Sequence, residues 1–135
     1  MSFLDTNVVV DLLNDRVPLV RVRLAEALRG GQRPWLSSVV LAELRYCVAH
    51  SRQVDRNGRA LDALIDGALE IVTFDADDAD EAGTLRADLR RNGVEIGPYD
   101  LLIAAHARHR DKTLVTSDTR KFERVPRLML ADWSR

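Results

Sequence analysis

The sequence predicts an α/β fold with a mostly parallel sheet held between layers of helix. Three observations carry this. Short strand-like runs alternate with helix-length segments along the whole chain. One helix-length segment, Tyr99 to His109, is apolar all round at its centre, Leu101-Leu102-Ile103-Ala104-Ala105, as a fully buried helix is. No internal repeat or low-complexity linker interrupts the alternation. The chain has 135 residues, within the roughly 100–200 typical of one domain, so residues 1–135 are read as a single domain.

Taken in order, residues 2–5 read as a short buried strand. Asn7 to Leu13 read as a helix capped by Thr6 or Asn7. Pro18 suits the first turn of a second helix, which stops near Gly30-Gly31. Trp35-Leu36 is a brief extended stretch, and Ser37-Ser38 can cap a helix over about Val39 to Ala49. A further helix is predicted from about Arg56 to Ile65, ending near Gly67. Glu70 to Phe74 is a strand by its β-branched and aromatic content. Asp77 to Arg91 is a helix with acids in its first turns and Arg86, Arg90 and Arg91 in its last, which suits the helix dipole; Asn92-Gly93 ends it. Gly97-Pro98 breaks the chain before the apolar helix. Thr113 to Thr116 is a buried strand, and the run Val125 to Leu130 is predicted to hold a last short one.

Composition excludes several classes. A 46% hydrophobic fraction fills a core of this size without covalent staples. With 30% charged and 5% aromatic residues, neither a disordered chain nor a coiled coil is indicated. The lone cysteine, Cys47, can make no internal disulfide and no zinc site by itself; it lies in the apolar run Val39 to Ala49 and is expected to be a buried structural thiol. There is no apolar stretch of membrane-spanning length and no signal-peptide pattern at Met1-Ser2-Phe3-Leu4-Asp5, so no membrane association is expected and the cytoplasm is the expected compartment.

The formal net charge of −1 conceals an uneven distribution. From Leu61 to Leu85 there are eight acids and no Lys or Arg, so the remainder of the chain carries +7 and this segment is expected to face away from any nucleic acid. Most of the basic residues, which are Arg in all cases but Lys112 and Lys121, gather in three groups: Arg16 to Arg33, Arg45 to Arg59, and Arg108 to Arg127. Arg suits bidentate contact with phosphate or carboxylate, although each group also reads as a solvated helix face. Trp35, Tyr46, Tyr99 and Trp133 are the aromatic residues available for base stacking, and most of them are expected in the core.

Four acids stand in costly or exposed places. Asp5 closes the first strand, and Asp118 follows the Thr113–Thr116 strand by two residues, so both belong to the carboxyl rim of the sheet, where open α/β sheets collect ligands. Glu43 is surrounded at helical spacing by Val39, Val40, Tyr46 and Cys47. Asp100 opens the most apolar helix. Each has a plain alternative: a strand-end cap for Asp5, a helix-dipole acid for Asp100, a solvent-facing residue for Glu43, a turn residue for Asp118. Few basic residues adjoin them in sequence. Carboxylates gathered without basic partners repel one another, and hard divalent cations such as Mg²⁺ or Mn²⁺, which prefer oxygen ligands, relieve that repulsion. The histidines, His50, His106 and His109, show no spacing for a metal site or an acid–base pair and are expected to be structural or exposed.

The sequence resembles the PIN-domain ribonucleases, and within them the VapC-type toxins of type II toxin–antitoxin pairs. The matching pieces are Phe3-Leu4-Asp5-Thr6-Asn7, Ser38-Val39-Val40-Leu41-Ala42-Glu43-Leu44, Tyr99-Asp100-Leu101-Leu102-Ile103-Ala104-Ala105-His106-Ala107, and Leu114-Val115-Thr116-Ser117-Asp118 with Phe122 after it. The ending Val125-Pro126 with Leu130-Ala131-Asp132-Trp133 also looks like this group. Ser117 stands where many relatives have Asn, whereas Asp118 retains an acid that some relatives replace by Asn. The resemblance implies a PIN-like three-layer fold with a five-stranded sheet flanked by helices, and a Mg²⁺-dependent endoribonuclease in which Mn²⁺ can substitute. It implies that Asp5, Glu43, Asp100 and Asp118 form the catalytic, metal-binding cluster, with Glu43 completing it and orienting or deprotonating the attacking water. Thr6, Asn7, Thr116 and Ser117 are candidates to bond metal waters or phosphate oxygens, with capping and turn bonding as their plain alternative. The implied product ends are a 5′-phosphate and a 3′-hydroxyl. The implied partners are an RNA substrate, a cognate small antitoxin and a second copy of the chain. Three other readings are a catalytically silent PIN-fold binding module, a receiver-like signalling domain, and a metal-dependent phosphatase or DNA nuclease. A receiver would need an acid pair after the first strand and a Lys ending the last one, whereas here Asp5 is followed by Thr6-Asn7 and neither Lys112 nor Lys121 ends that strand.

Overall fold

The computed structural model describes residues 1–135. Five strands, β1 (Ser2–Leu4), β2 (Trp35–Ser37), β3 (Glu70–Val72), β4 (Thr113–Val115) and β5 (Leu130–Ala131), alternate with seven helices. The helices are α1 (Thr6–Asn14), α2 (Pro18–Arg29), α3 (Ser38–Ala49), α4 (Val54–Ala68), α5 (Ala76–Arg91), α6 (Pro98–His109) and α7 (Thr119–Phe122). The sheet runs in the order β3-β2-β1-β4-β5 and every neighbouring pair is parallel. Helices α1 to α4 pack among themselves, and α5 packs along α6. Right-handed crossovers, combined with the reversal of strand order after β3, set these two groups on opposite faces of the sheet. The predicted α/β class and its five-stranded parallel sheet are thus realised.

One continuous core joins the layers. It includes Phe3 and Leu4 of β1, Leu36 of β2, Leu114 and Val115 of β4, and Ile103, Ala104, Ala105 and Ala107 of α6. Both faces of the central strands are covered, which explains their unbroken apolar runs. The alanines of α6 let that helix lie close against its neighbours, and Ala104, Ala105 and Ala107 are all completely buried.

Several element boundaries differ from the sequence reading for identifiable reasons. Helix α4 runs through Gly67, because the apolar repeat Leu61, Leu64, Ile65 and Ala68 continues past it. Gly67 is exposed with open space where a Cβ would stand, so its cost is only the modest helix penalty of an unhindered glycine. The last strand begins later than expected. Pro126 has no amide to give a ladder and Arg127 is left-handed at φ 59°, so pairing starts only where Leu114 N donates to Met129 O and Thr116 N to Ala131 O. Helix α7 was not predicted; at four residues it is too short for periodicity to register, and buried Phe122 anchors it. Cys47 is exposed, not a buried thiol: it shares a helical face with buried Val40 and Leu44 but lies near the end of α3, where that face opens onto a surface groove lined with Val10, Leu13 and Val48.

The charge pattern acquires partners in the fold. Part of the acidic segment is paired with arginines from the third basic group. Asp78 is completely buried, and it, Asp75 and Glu81 pair with Arg110 and Arg108. Those two arginines are therefore spent inside the molecule, as is Arg33, which donates to the carbonyls of Ile65, Asp66 and Leu69.

Candidate active site

The strand order reverses between β1 and β4. From β1 the chain steps outward to β2 and β3, then crosses back to lay β4 on the other side of β1. Loops leaving two strands at such a point diverge and open a crevice at their carboxyl ends. Leu4 is in register with Val115, so the next residues, Asp5 and Thr116, leave the sheet side by side. Asp5 N still donates to Val115 O at 2.9 Å.

The buried carboxylate of Asp5, 2% exposed, has both oxygens engaged. Oδ1 accepts from Thr6 N at 2.8 Å, which makes Asp5 itself the N-cap of α1 in place of the expected Thr6 or Asn7. Oδ2 accepts from Thr116 Oγ1 at 2.8 Å. The Thr116 hydroxyl in turn accepts from Asp118 N at 3.1 Å. On the other side, Thr6 Oγ1 donates to Glu43 Oε1 at 2.8 Å, tying the middle of α3 to the start of α1. Bonds through two threonine hydroxyls and the Thr6 amide thus run from Glu43 through Thr6 and Asp5 to Thr116 and the backbone of Asp118. Asp100 enters from the first turn of α6, where the helix dipole favours negative charge.

Of the predicted residues, Asp5, Glu43, Thr6 and Thr116 are joined by side-chain bonds. Asp118 shares the rim through its backbone; it is exposed and its carboxylate does not cap α7. Ser117 is exposed. Asn7 Oδ1 is a buried acceptor without a partner within the chain. No three of the acids stand close enough to hold an ion together. The expectation that they lack basic neighbours is overturned by Lys121 of α7, whose Nζ lies 3.5 Å from Asp100 Oδ1. Sequence reasoning missed this residue because it assigned no helix after Asp118. Burial pushes the Asp5 carboxyl above the ordinary range, and Asp100 adds to that; the bonds from Thr116 and Thr6 and the charge of Lys121 act in the opposite sense.

The donor set is carboxylates and hydroxyls, hard oxygens suited to Mg²⁺ or Mn²⁺ rather than to soft metals. The lysine ammonium beside Asp100 shows that the cluster accepts a positive charge where it stands. The residues present therefore fit a divalent ion in chemistry, although here Asp5, Glu43 and Asp100 are engaged one by one by an amide, hydroxyls and an ammonium.

A second polar group invites comparison. His106 Nδ1 lies 2.8 Å from Ser37 Oγ and His106 Nε2 lies 3.4 Å from Asp78 Oδ2, a serine–histidine–aspartate row. All three are at most 1% exposed, so no substrate can reach the serine, whose oxygen caps α3 by accepting from Val39 N. This row is structural, as was expected for His106. Tyr99 and Tyr46, in contrast, are 57% and 66% exposed, correcting their expected place in the core. Tyr99 adjoins Asp100 at the rim.

Comparison with known proteins agrees with this geometry. Residues 2–128 match the PIN domain family. Among curated proteins, the chain is 39% identical over 132 residues to the protein named ribonuclease VapC2 of Rickettsia felis, covering 98% of this chain and 97% of the relative. It is 37% identical over 131 residues to the tRNA(fMet)-specific endonuclease VapC of Shigella flexneri, covering 97% and 96%. Among solved structures, it superposes with a TM-score of 0.91 at 38% identity, over 98% of each chain, on VapBC2 from Rickettsia felis bound to a DNA fragment from its promoter. The TM-score to DNA-bound VapBC from Salmonella typhimurium is 0.90 at 34% identity, over 98% of this chain and 97% of that one.

Proposed function

The chain belongs to the PIN domain family, and on that premise we propose that it is the toxin of a type II toxin–antitoxin pair, a divalent-metal-dependent endoribonuclease whose working centre is Asp5, Glu43, Asp100 and Asp118. The observation that carries the assignment is the run of bonds Glu43–Thr6–Asp5–Thr116–Asp118 at the one reversal of strand order. The ribonuclease and endonuclease names of relatives sharing over a third of the sequence support RNA as the substrate.

A bound Mg²⁺ or Mn²⁺ supplies charge neutralisation at the phosphoryl oxygens and an acidified water. The chain's own residues do the rest. Asp5, held by Thr6 and Thr116, presents a carboxylate of fixed orientation. Asp100 and Asp118 bring further carboxylates from the other side of the crevice. Glu43, positioned by the Thr6 hydroxyl, is the candidate to orient the attacking water or take its proton. Thr116 and Thr6 act as positioning residues; Asn7 and Ser117 are candidates for bonding waters or phosphate oxygens.

We extend the proposal to the partners. The superposable relatives are solved as VapBC complexes, which supports a cognate antitoxin for this chain, and a homodimer is the assembly we assign it. No helix is long and apolar enough to cross a membrane.

The purified protein is expected to cleave total cellular RNA with Mg²⁺ or Mn²⁺, to stop in EDTA, and to resume when the ion is restored. Asp5→Asn is expected to lose about a hundredfold or more, since the metal-supported stabilisation of such transition states is worth several kcal/mol. RNA left intact by the unaltered protein, or cut equally by both, sinks the assignment.

A further inference from the structure

We propose that Lys121 is a resident counter-cation of the acidic centre, one that occupies Asp100 until a divalent ion displaces it and so lowers the affinity of the site for that ion. This rests on the metal-dependent reading above. Three observations carry it. The ammonium is 3.5 Å from Asp100 Oδ1, and its charge also reaches Asp5, so one cation serves two of the four acids. The acids, so neutralised, are not drawn into a group able to hold an ion. The lysine is also free to leave. Its side chain is 40% exposed against 23% for Asp100. It sits on a four-residue helix at the rim, with its ammonium 5.6 Å from the centre of the Phe122 ring. A flexible stem carrying a strongly hydrated point charge gives up one carboxylate at little cost.

A divalent ion must outbid this ammonium for Asp100. Removing the ammonium leaves Asp5 and Asp100 facing each other without compensation, which raises the gain from binding an ion and lowers the stability of the ion-free protein. The two effects have one cause and must appear together.

The experiment is titration of full-length protein with Mn²⁺, followed by calorimetry and by the paramagnetic resonance of the free ion, on the unaltered chain, Lys121→Met and Lys121→Arg. Neither readout requires turnover. Lys121→Met is expected to bind Mn²⁺ about two- to fivefold more tightly, the range for a partly exposed ion pair, and Lys121→Arg to match the unaltered chain. Thermal unfolding gives a second measure: in EDTA Lys121→Met melts lower than the unaltered chain, and saturating Mn²⁺ raises its midpoint by the larger increment. Equal or weaker Mn²⁺ binding by Lys121→Met overturns the proposal while leaving the metal site in place, as does Lys121→Arg behaving like Lys121→Met. If neither the unaltered chain nor Lys121→Met binds Mn²⁺, the metal-dependent reading falls and this inference falls with it.

Discussion

Asp5 does two jobs that pull against each other. As the cap of α1 it accepts the Thr6 amide, and as the acid at the switch point it carries a charge in a place that is 2% exposed. Burial raises its pKa, which has a definite consequence for stability. A group whose folded pKa is raised contributes fully below its unfolded value, about 3.9 for Asp, and that contribution is lost as pH rises through the folded value. At neutral pH the ionised Asp5 therefore works against the fold. Asn keeps the acceptor for Thr6 N and can donate to Thr116 Oγ1 without the charge. Asp5→Asn is accordingly expected to melt above the unaltered protein in EDTA at pH 7, with the difference closing as pH falls below about 4. Thermal scans at the two pH values test this; a lower midpoint for Asp5→Asn at pH 7 contradicts it.

At the scale of elements, the seam between α5 and α6 concentrates the buried charge. Asp78 of α5 faces Arg110 and His106 from the far end of α6, with Asp75 beside it, Ser37 from the end of β2, and Phe3 and Phe74 packing the imidazole. Burial opposes the Asp78 charge, yet the bonds from Arg110 and Asp75 N, with the charge of His106, hold its pKa down at about 2. Burial lowers the pKa of His106 despite the neighbouring Asp78. Both groups are lowered, so both contribute above their unfolded values and lose that contribution as pH falls. His106 should weaken the fold from about pH 6.5 downward, and Asp78 only from about pH 4 toward 2. Arg110→Met, which leaves the Asp78 charge buried without its main partner, is expected to cost about 2–3 kcal/mol in urea denaturation at pH 7. That is below the full figure for a buried pair because Arg110 is 28% exposed. This seam was invisible in the sequence because Asp78 and Arg110 are 32 residues apart, one on a charged helix and the other just past the end of a different one. The sheet, by contrast, was legible, since β1, β2 and β4 are apolar runs bounded by polar residues. Asp5, Glu43 and Asp100 were legible for a related reason, being carboxylates at positions where apolar neighbours make charge expensive. Lys121 was not, because its meaning depends on α7, which has one buried side chain and no repeat.

The whole molecule decides which positive charge remains for RNA. Arg108 and Arg110 are committed to α5, Arg33 to backbone carbonyls, Arg45 to Asp62 and Arg21 to Asp15. Beyond Asp118, Arg120, Arg124 and Arg127 are exposed and form no ion pair. If these line the approach of single-stranded RNA, removing one phosphate-neutralising arginine lowers the slope of log affinity against log salt by about 0.7. Arg120→Gln with Arg124→Gln should therefore weaken RNA binding and flatten that slope by about 1.4, whereas Arg45→Gln should leave it unchanged; filter binding over a salt series reads both. One feature of the site also bears on when the protein becomes dangerous to the cell that makes it. The Thr116 hydroxyl that fixes Asp5 lies 111 residues after it, and the strand that delivers Thr116 gains its outer neighbour only from β5. During synthesis the Asp5 carboxylate therefore stays unanchored until both of those distant segments have emerged, so the proposed centre is assembled late in translation and not as its first acid appears.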